Sequence, residues 1–528
     1  MRKGTLSLKP AATSTPIDLP ADYDRLLQSI TICAPAQKIG LDIDVTHKVT
    51  LPAILESALL LVAQLETISP NELAGFFGLN DHERDVLIRE MNDTSLVIFN
   101  DEGDIATTPK LIAQRRGGAT NEGITIEDVE NFRDFTFVDL CTGHIQPRSE
   151  ADKQSGLPML PRKINETDFS QILAKQFHRF QACLPDNKSK QSLRNPKARL
   201  YRVNRASVIQ SGLQQQVSLD IHAHHDPLYG VRLEAKLLDY KNEHANLMNS
   251  SGLKAEAIDW IHNRQHESAT ISLQQYCDLV KDPVIERYIK KSDILDLPHL
   301  LHDRFHSKTG YGNQNTRMII GPVYSAVNRV NITAWVNRHD KKQRIHHGVW
   351  LGATNQLFGA SLGLESFIEK MNYELNQDEH RSSLNLAFHL KPNDFDERNR
   401  LKSTLSQRTD GKLCTFSSGR SESHVEFMVF PGSNGCALVQ YHAKIDPSLG
   451  FGGLTIPVGY FTTDPSRVAF LWEEVRKRIA SALTPLNDPT NTLEALNKQL
   501  ECKPGDLDTL FHEESTQKLQ GLLDKFNS

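Results

Sequence analysis

SPNELAGFFGLNDHERDVLIREMNDTSLVIFNDEGDIATTPK, residues Ser69 to Lys110, carries the densest set of structural signals in this 528-residue chain. Ser69 caps a short helix, Pro70 to Phe77, with proline in the first turn, where no helical hydrogen bond is lost. Gly78 ends it. Asn80 with Glu83 three residues on predicts a capping box, opening a further helix from Asp81 to about Met91. Two short strands follow, Leu96 to Phe99 and Ile105 to Thr108, around a tight turn at Asn100 to Asp104. Upstream, the apolar run Ala53 to Leu65 predicts a buried helix. It carries Glu56 and Gln64 and is shorter than the ~20 residues that span a bilayer.

Helix, short helix, turn, third helix and hairpin is the layout of a winged helix. Leu51 to about Ala113 resembles many bacterial members of that superfamily, over about an eighth of the chain. The resemblance is specific for fold rather than for partner. It implies a third helix in the major groove and a wing on the DNA backbone, with Arg84 and Arg89 as the bases available. The charges favour a different use. The third helix holds Asp81, Glu83, Asp85 and Glu90 against those two arginines, and the wing tip holds Asp101, Glu102 and Asp104 with no base. Phosphate contacts need Lys or Arg on these two elements. Protein docking fits this surface better.

Working outward, the bulk properties are those of an ordinary globular chain: 39% hydrophobic, 24% charged, formal net charge -5. That length predicts several domains. No global field draws in nucleic acid or an anionic membrane. The start, MRKGTLSLKPAATSTP, is basic but lacks the apolar core of a secretory signal. The 7 cysteines are widely spaced and never form C-x-x-C. This argues against a disulfide scaffold or structural zinc, and points to a reducing cytoplasm.

The expected fold class is α+β multidomain: a winged helix, then a mixed body with antiparallel hairpins, then a helical tail. The expected units are a flexible arm at 1–45, the winged helix at 46–115, a mixed domain at 123–305, a second α+β domain at 306–484, and a helical tail at 485–528. A short amphipathic stretch, Tyr23 to Ile32, interrupts the arm. Strands are expected at Phe132 to Leu140, across Ala198 to Lys241, and near Met318 to Gly321, Asn331 to Val336 and Gly348 to Leu351. Helices are expected at Phe169 to Leu184, across 254–305, and at Leu364 to Leu375 and Pro465 to Leu483. A hairpin is expected at Val425 to Ile445.

Basic charge concentrates in one run. Lys188, Lys190, Arg194, Lys197, Arg199, Arg202 and Arg205 occur with no acid between them, and Tyr201 lies inside the run. Basic residues with an interleaved aromatic suit a nucleic-acid backbone with a stacked base. A second cluster, Lys341, Lys342 and Arg344, is expected in a turn. For any such cluster the commoner alternative is a solvated face balanced by nearby acids.

Two constellations carry candidate chemistry. In Val217 to Lys236 a hairpin turns at Asp226 to Gly230. Val217, Leu219, Ile221 and Ala223 are expected to face the core. Asp220, His222, His224, Glu234 and Lys236 then share the opposite face. A carboxylate facing E-x-K resembles the restriction-endonuclease-like nuclease core. The resemblance implies that Asp220 and Glu234 hold Mg2+ while Lys236 positions the attacking water. The alternative is a solvated sheet face with a cross-strand ion pair. His442-Ala-Lys444 resembles half of a phospholipase-D-like site. Leu449 stands where that pattern has Asp, and a second half is missing, so the resemblance implies an inactive relative. There is no Walker A, G-x-S-x-G or H-E-x-x-H motif.

The leading expectation is a non-catalytic cytoplasmic accessory protein without a cofactor. Its winged helix docks a protein partner and its basic segment contacts DNA, in the setting of mobile-element or phage defence. The rivals are a metal-dependent nuclease using Asp220, Glu234 and Lys236, and a winged-helix transcription regulator. No membrane association is expected.

Overall fold

A computed structural model describes residues 17–116, 124–147, 156–164, 168–185, 191–238, 252–264, 268–290, 293–338, 345–355, 357–376, 382–409, 412–486, 493–507 and 509. Helices and mostly antiparallel sheets combine into an α+β protein.

The first element corrects the expectation of a flexible arm at 1–45. β1 (Asp24–Thr50) is a single strand of 27 residues, or ~90 Å of extended chain at 3.3 Å per residue. Its two halves are buried differently, the first on both faces from Ile30 to Ala34 and the second on one face. Ile30, Ile32, Ala34 and Ala36 are inside in the first half, and Ile39, Leu41, Ile43 and Val45 in the second. The pairing of residues 36–50 with 125–139 is unbroken, and the register shifts at Ala36, Lys38 and Ile39 place the extra residues on the partner strand, between 208 and 213. The two halves instead pack into different cores, Ile30, Ile32 and Ala34 in one and Ile39, Leu41, Ile43 and Val45 in another. That change in burial, with Pro35, hides the period of two from a short window.

The chain then forms a small module. α1 (Ala53–Leu65), β2 (Thr67–Ile68), α2 (Pro70–Phe77), α3 (Asp81–Asp93), β3 (Val97–Phe99), β4 (Ile105–Thr107) and α4 (Pro109–Arg116) follow in order. The three strands pair as β2-β4-β3. Both helix starts carry reciprocal capping boxes, Ser69 with Glu72 and Asn80 with Glu83. Leu55, Leu59, Val62, Leu73, Leu87, Met91, Val97, Ile105 and Leu111 form the module's own core.

The return strand β5 (Thr125–Asp139) pairs with β1 from Thr50↔Thr125 to Ala36↔Asp139. The whole module is therefore inserted between two paired strands and sits at the end of a β-ribbon. β6 (Ile145–Gln146), α5 (Phe169–Lys175), α6 (Phe177–Ala182) and α7 (Gln191–Arg194) lead to β7 (Arg199–Asp226) and β8 (Gly230–Leu237). The five-stranded sheet has the order β6-β5-β1-β7-β8. α5 to α7 cover one face of the ribbon through Leu173, Phe177, Phe180 and Leu193, against Ile39, Leu41, Ile43 and Val45.

The ribbon's other end enters the body. α8 (Leu253–His262), α9 (Leu273–Val280), α10 (Leu297–Phe305), β9 (Thr316–Ile320), α11 (Ala326–Arg338), β10 (Gly348–Leu351), α12 (Gly363–Asn376), β11 (Leu384–His389), α13 (Phe395–Leu405) and β12 (Leu413–Phe416) come first. β13 (Val425–Phe430), β14 (Cys436–Lys444), β15 (Thr455–Thr462), α14 (Pro465–Arg478), β16 (Thr484–Pro485) and α15 (Glu494–Glu501) complete it. One eight-stranded sheet orders them β16-β12-β11-β10-β13-β14-β15-β9. β10, β11 and β12 are parallel and joined by helices, and the remaining pairs are antiparallel. Both faces are covered, so its strands are buried almost throughout. Val349, Phe427, Val439 and Tyr460 pack one face with α8, α9, α10 and α14. Trp350, Met428, Leu438 and Phe461 pack the other with α11, α12 and α13.

Two expectations change here. Asn331 to Val336 is not a strand but part of α11; its apolar spacing was too short to decide between periods. The boundary expected at 305 does not separate two cores. α8 to α10, β7, β8 and one face of the eight-stranded sheet share one cluster. No helix among the described residues is long and apolar enough to cross a membrane. Of the helical tail expected at 485–528, α15 is described; residues 510–528 lie outside the described set.

Candidate functional site

The Asp220 hairpin forms with the facing expected from its alternation. Val217, Leu219, Ile221 and Ala223 are buried, and Asp220↔Lys236 and His222↔Glu234 are direct cross-strand neighbours. Asp220 and Glu234 are thus a diagonal pair, roughly 7–8 Å apart by sheet geometry. Their contacts diverge. Asp220 accepts a 2.5 Å hydrogen bond from Ser29 Oγ, while Glu234 lies 3.3 Å from His224 Nε2.

The carboxylate that engages Lys236 is Asp24, at the start of β1. Lys236 Nζ donates to its Oδ2 at 2.8 Å, and His222 Nδ1 lies 2.5 Å from its Oδ1. Burial pushes the Asp24 carboxyl up, but the bonds from Lys236 and His222 more than offset this and hold it below the usual carboxylate range. The face is a chain of local polar contacts, Glu234–His224 and Asp24–His222, with the ion pair Asp24–Lys236, on a partly exposed sheet. Among the described residues no three His, Cys, Asp or Glu side chains are placed to hold a metal ion. Asp24 was out of reach of sequence reasoning, because it lies about 200 residues from its partners.

The basic run is divided. Lys188 and Lys190 lie outside the described residues, as do Lys341, Lys342 and Arg344. Arg194 ends α7, and Lys197 lies exposed in the turn before β7. Arg199, Arg202 and Arg205 stand on the outer strand of the ribbon, with Tyr201 exposed at 68%. No acid interrupts them in sequence, yet the central strand supplies acids beside them. Arg205 is opposite Asp42 and Arg202 opposite Asp44. Asp42 also takes Arg133 from β5, at 3.0 Å. Hydrogen bonds from Asn131 and Asn204, then Arg133, hold the Asp42 carboxyl below the usual range. The open face of the ribbon therefore alternates in charge across its three strands.

On the module, Arg84 is consumed locally. It reaches Asp81 and Asp85, each at 2.9 Å, and Asn71 at 3.1 Å. Arg89 stays exposed on α3. Phe76 (69% exposed), Val86, Ile98 and Phe99 are solvent-facing apolar side chains on α2, α3 and β3. The module thus exposes apolar groups as well as carboxylates.

A further polar cluster lies inside the body and was only half visible in the sequence. His442, singled out from H-x-K, is buried on β14, with Nε2 3.3 Å from Glu426 Oε1 on β13. Trp350 Nε1 donates to Glu426 Oε2 at 3.0 Å. Lys444 lies at the strand end, and Leu449 is buried in the core. On the opposite face, Arg478 of α14 bonds Glu422 and Glu474. The partners of His442 and Arg478 come from separate strands and helices, so no local motif marks them. Compared with known protein families, with curated proteins and with solved structures, the chain matches none.

Proposed function

We propose that this protein is a non-catalytic accessory protein whose inserted module, 53–116, is a winged helix used to dock a protein partner. The observation that supports this is the module's outer surface. Phe76 on α2, Val86 on α3 and Ile98 and Phe99 on β3 are exposed on a module whose α3 and β3–β4 turn carry acids, while Arg84 is paired within its own helix. Exposed large apolar side chains together with charged ones are the composition of a docking surface. Its complement is a partner with apolar side chains rimmed by Lys or Arg. A phosphate backbone brought to the same surface meets carboxylates. The widely spaced, mostly buried cysteines fit a reducing cytoplasmic setting.

A second contact, to nucleic acid, is supported by Tyr201. It is exposed between Arg199 and Arg202 on the ribbon's outer strand, where a base can stack. The neighbouring Asp42 and Asp44 weaken this contact, so it is an auxiliary one.

Fluorescence anisotropy separates these roles. A labelled Lys/Leu amphipathic helix should bind the full chain. Phe76→Ser/Phe99→Ser should weaken that binding at least about tenfold, as expected for loss of central apolar anchors. Labelled single-stranded DNA should bind weakly, with a steep salt dependence that Arg199→Ala/Tyr201→Ala/Arg202→Ala removes. A sequence-specific duplex footprint abolished by Arg89→Ala would overturn the docking role in favour of groove reading.

A further inference from the structure

α10 carries an unassigned histidine arrangement at its C-terminal end. His302 lies in the last turn and His306 is the residue that caps the helix. Spacing of four residues places two side chains on one helical face, one turn apart. The two imidazole rings face each other with centroids 4.4 Å apart.

Each ring is held by the same nitrogen. His302 Nδ1 lies 3.1 Å from Asp303 Oδ1. His306 Nδ1 lies 3.0 Å from the carbonyl oxygen of His302. A carboxylate and a carbonyl oxygen accept, so both Nδ1 atoms carry the proton. The neutral rings then present Nε2 lone pairs, and neither Nε2 has a hydrogen-bond partner among the described residues. Asp303 is itself fixed, since Tyr288 donates its hydroxyl to Oδ2 at 2.8 Å. Burial raises the Asp303 carboxyl, but the bonds from Tyr288 and His302 outweigh it and keep it anionic. The Tyr288 hydroxyl is pushed up to about 12 by burial and by that bond, so it remains a donor. A carboxylate behind a histidine, orienting Nε2 outward, is the outer-shell arrangement of metal-binding histidines.

We propose that His302 and His306 form a two-histidine site for a divalent transition metal ion of the zinc, nickel or copper class, bound through both Nε2 atoms. Imidazole nitrogen suits these ions, with copper expected to bind most tightly. No third His, Cys, Asp or Glu among the described residues converges on the pair. Water completes the coordination, which makes the site exchangeable rather than structural. His299, one turn earlier, meets Asp296 through the same nitrogen at 2.8 Å, but it does not join the pair in a group of three metal-binding side chains among the described residues.

The test uses the full chain, titrated with ZnCl2 and separately with CuCl2 in a non-coordinating buffer. One site should saturate. His302→Gln and His306→Gln should each lower its affinity at least about tenfold, and Asp303→Asn about tenfold, the usual effect of losing an outer-shell partner. His299→Gln and His222→Gln should leave it unchanged. The copper complex should show two nitrogen couplings by electron paramagnetic resonance, and one in His306→Gln. His306 is exposed, so its variant is expected to melt like the parent protein, which separates lost binding from lost fold. Unchanged affinity in folded His306→Gln, or loss of the site in His222→Gln, would overturn the proposal.

Discussion

Replacing Arg478 by Met tests how the body is held together. Arg478 is only 1% exposed. Its Nε and Nη2 donate to the two oxygens of Glu422 at 2.8 and 3.1 Å. Its Nη1 donates to Glu474 Oε2 at 2.8 Å and to the Glu474 carbonyl at 2.9 Å. The guanidinium lies 4.6 Å from the centre of the Phe427 ring. It thus joins α14 to the segment before β13 and to the sheet beneath. Met keeps the apolar stem and removes the charge, which leaves two buried carboxylates without their shared partner. Breaking a buried ion pair in this way costs about 3–5 kcal/mol. Lys477 still holds Glu474 at 2.9 Å, and Arg420 lies 3.6 Å from Glu422, so the lower end, ~3 kcal/mol, is expected.

Urea unfolding followed by tryptophan fluorescence reads this locally. Trp350 and Trp472 are fully buried in the body, and the module contains no tryptophan. With a slope of ~3 kcal/mol/M, the midpoint should fall by ~1 M. Glu474 adds a pH signature. Burial raises its carboxyl, but the bonds from Arg478 and Lys477 outweigh burial and lower it. A depressed folded value stabilises fully above the unfolded value of ~4.3 and is lost as pH falls through the folded one. Arg478→Met should therefore flatten the acid limb of the stability profile. A midpoint shift under ~0.3 M at neutral pH, with an unchanged acid limb, would refute the reasoning.

Three other outcomes follow from single contacts. Gly321 has φ 87°, and a Cβ there would lie 2.0 Å from the Leu27 carbonyl oxygen, so Gly321→Ala should cost at least about 2 kcal/mol in the same transition; a neutral result would mean that the end of β9 does not pack on the base of β1. Asn80→Ala removes one half of a capping box and should destabilise the module by ~1 kcal/mol; amide exchange should quicken across 53–116 while the tryptophan transition stays put. Asp24→Asn removes the shared partner of Lys236 and His222. Because that carboxyl is depressed but its side chain is 41% exposed, the loss at neutral pH should stay under about 1 kcal/mol, with a shallower decline below pH ~4; a loss at neutral pH that persists unchanged at pH ~3 would contradict the ion-pair account.

The candidate sites were legible only in part, for a consistent physical reason. Facing along one hairpin is local, so the alternation from Val217 to Ala223 and the face shared by Asp220, His222, Glu234 and Lys236 could be read directly. Charge pairing is not local. Asp24 reaches Lys236 across more than two hundred residues, and Asp42 and Asp44 meet Arg205 and Arg202 across about 160. A run that is purely basic in sequence therefore lies in a mixed field in space. His302 and His306 lie on one short helix, and their four-residue spacing was visible. Their significance depends on where Nδ1 points and on Tyr288 behind Asp303, which spacing does not reveal.

By itself the sequence determined the helices and hairpin of the module, because caps, a helix-ending glycine and an apolar period act within a few residues. It also determined the α+β class and the alternation of the hairpin strands. Tertiary structure alone decided that the first fifty residues include a long strand, because its first half is buried on both faces and its second on one, in different cores, so no single alternation runs along it. It decided that the module is an insertion at the end of a ribbon, since Thr50 and Thr125 meet only when β1 and β5 pair. It also joined the helices before residue 305 to the eight-stranded sheet. Those helices have one apolar face each, and which surface buries that face is a property of the whole chain.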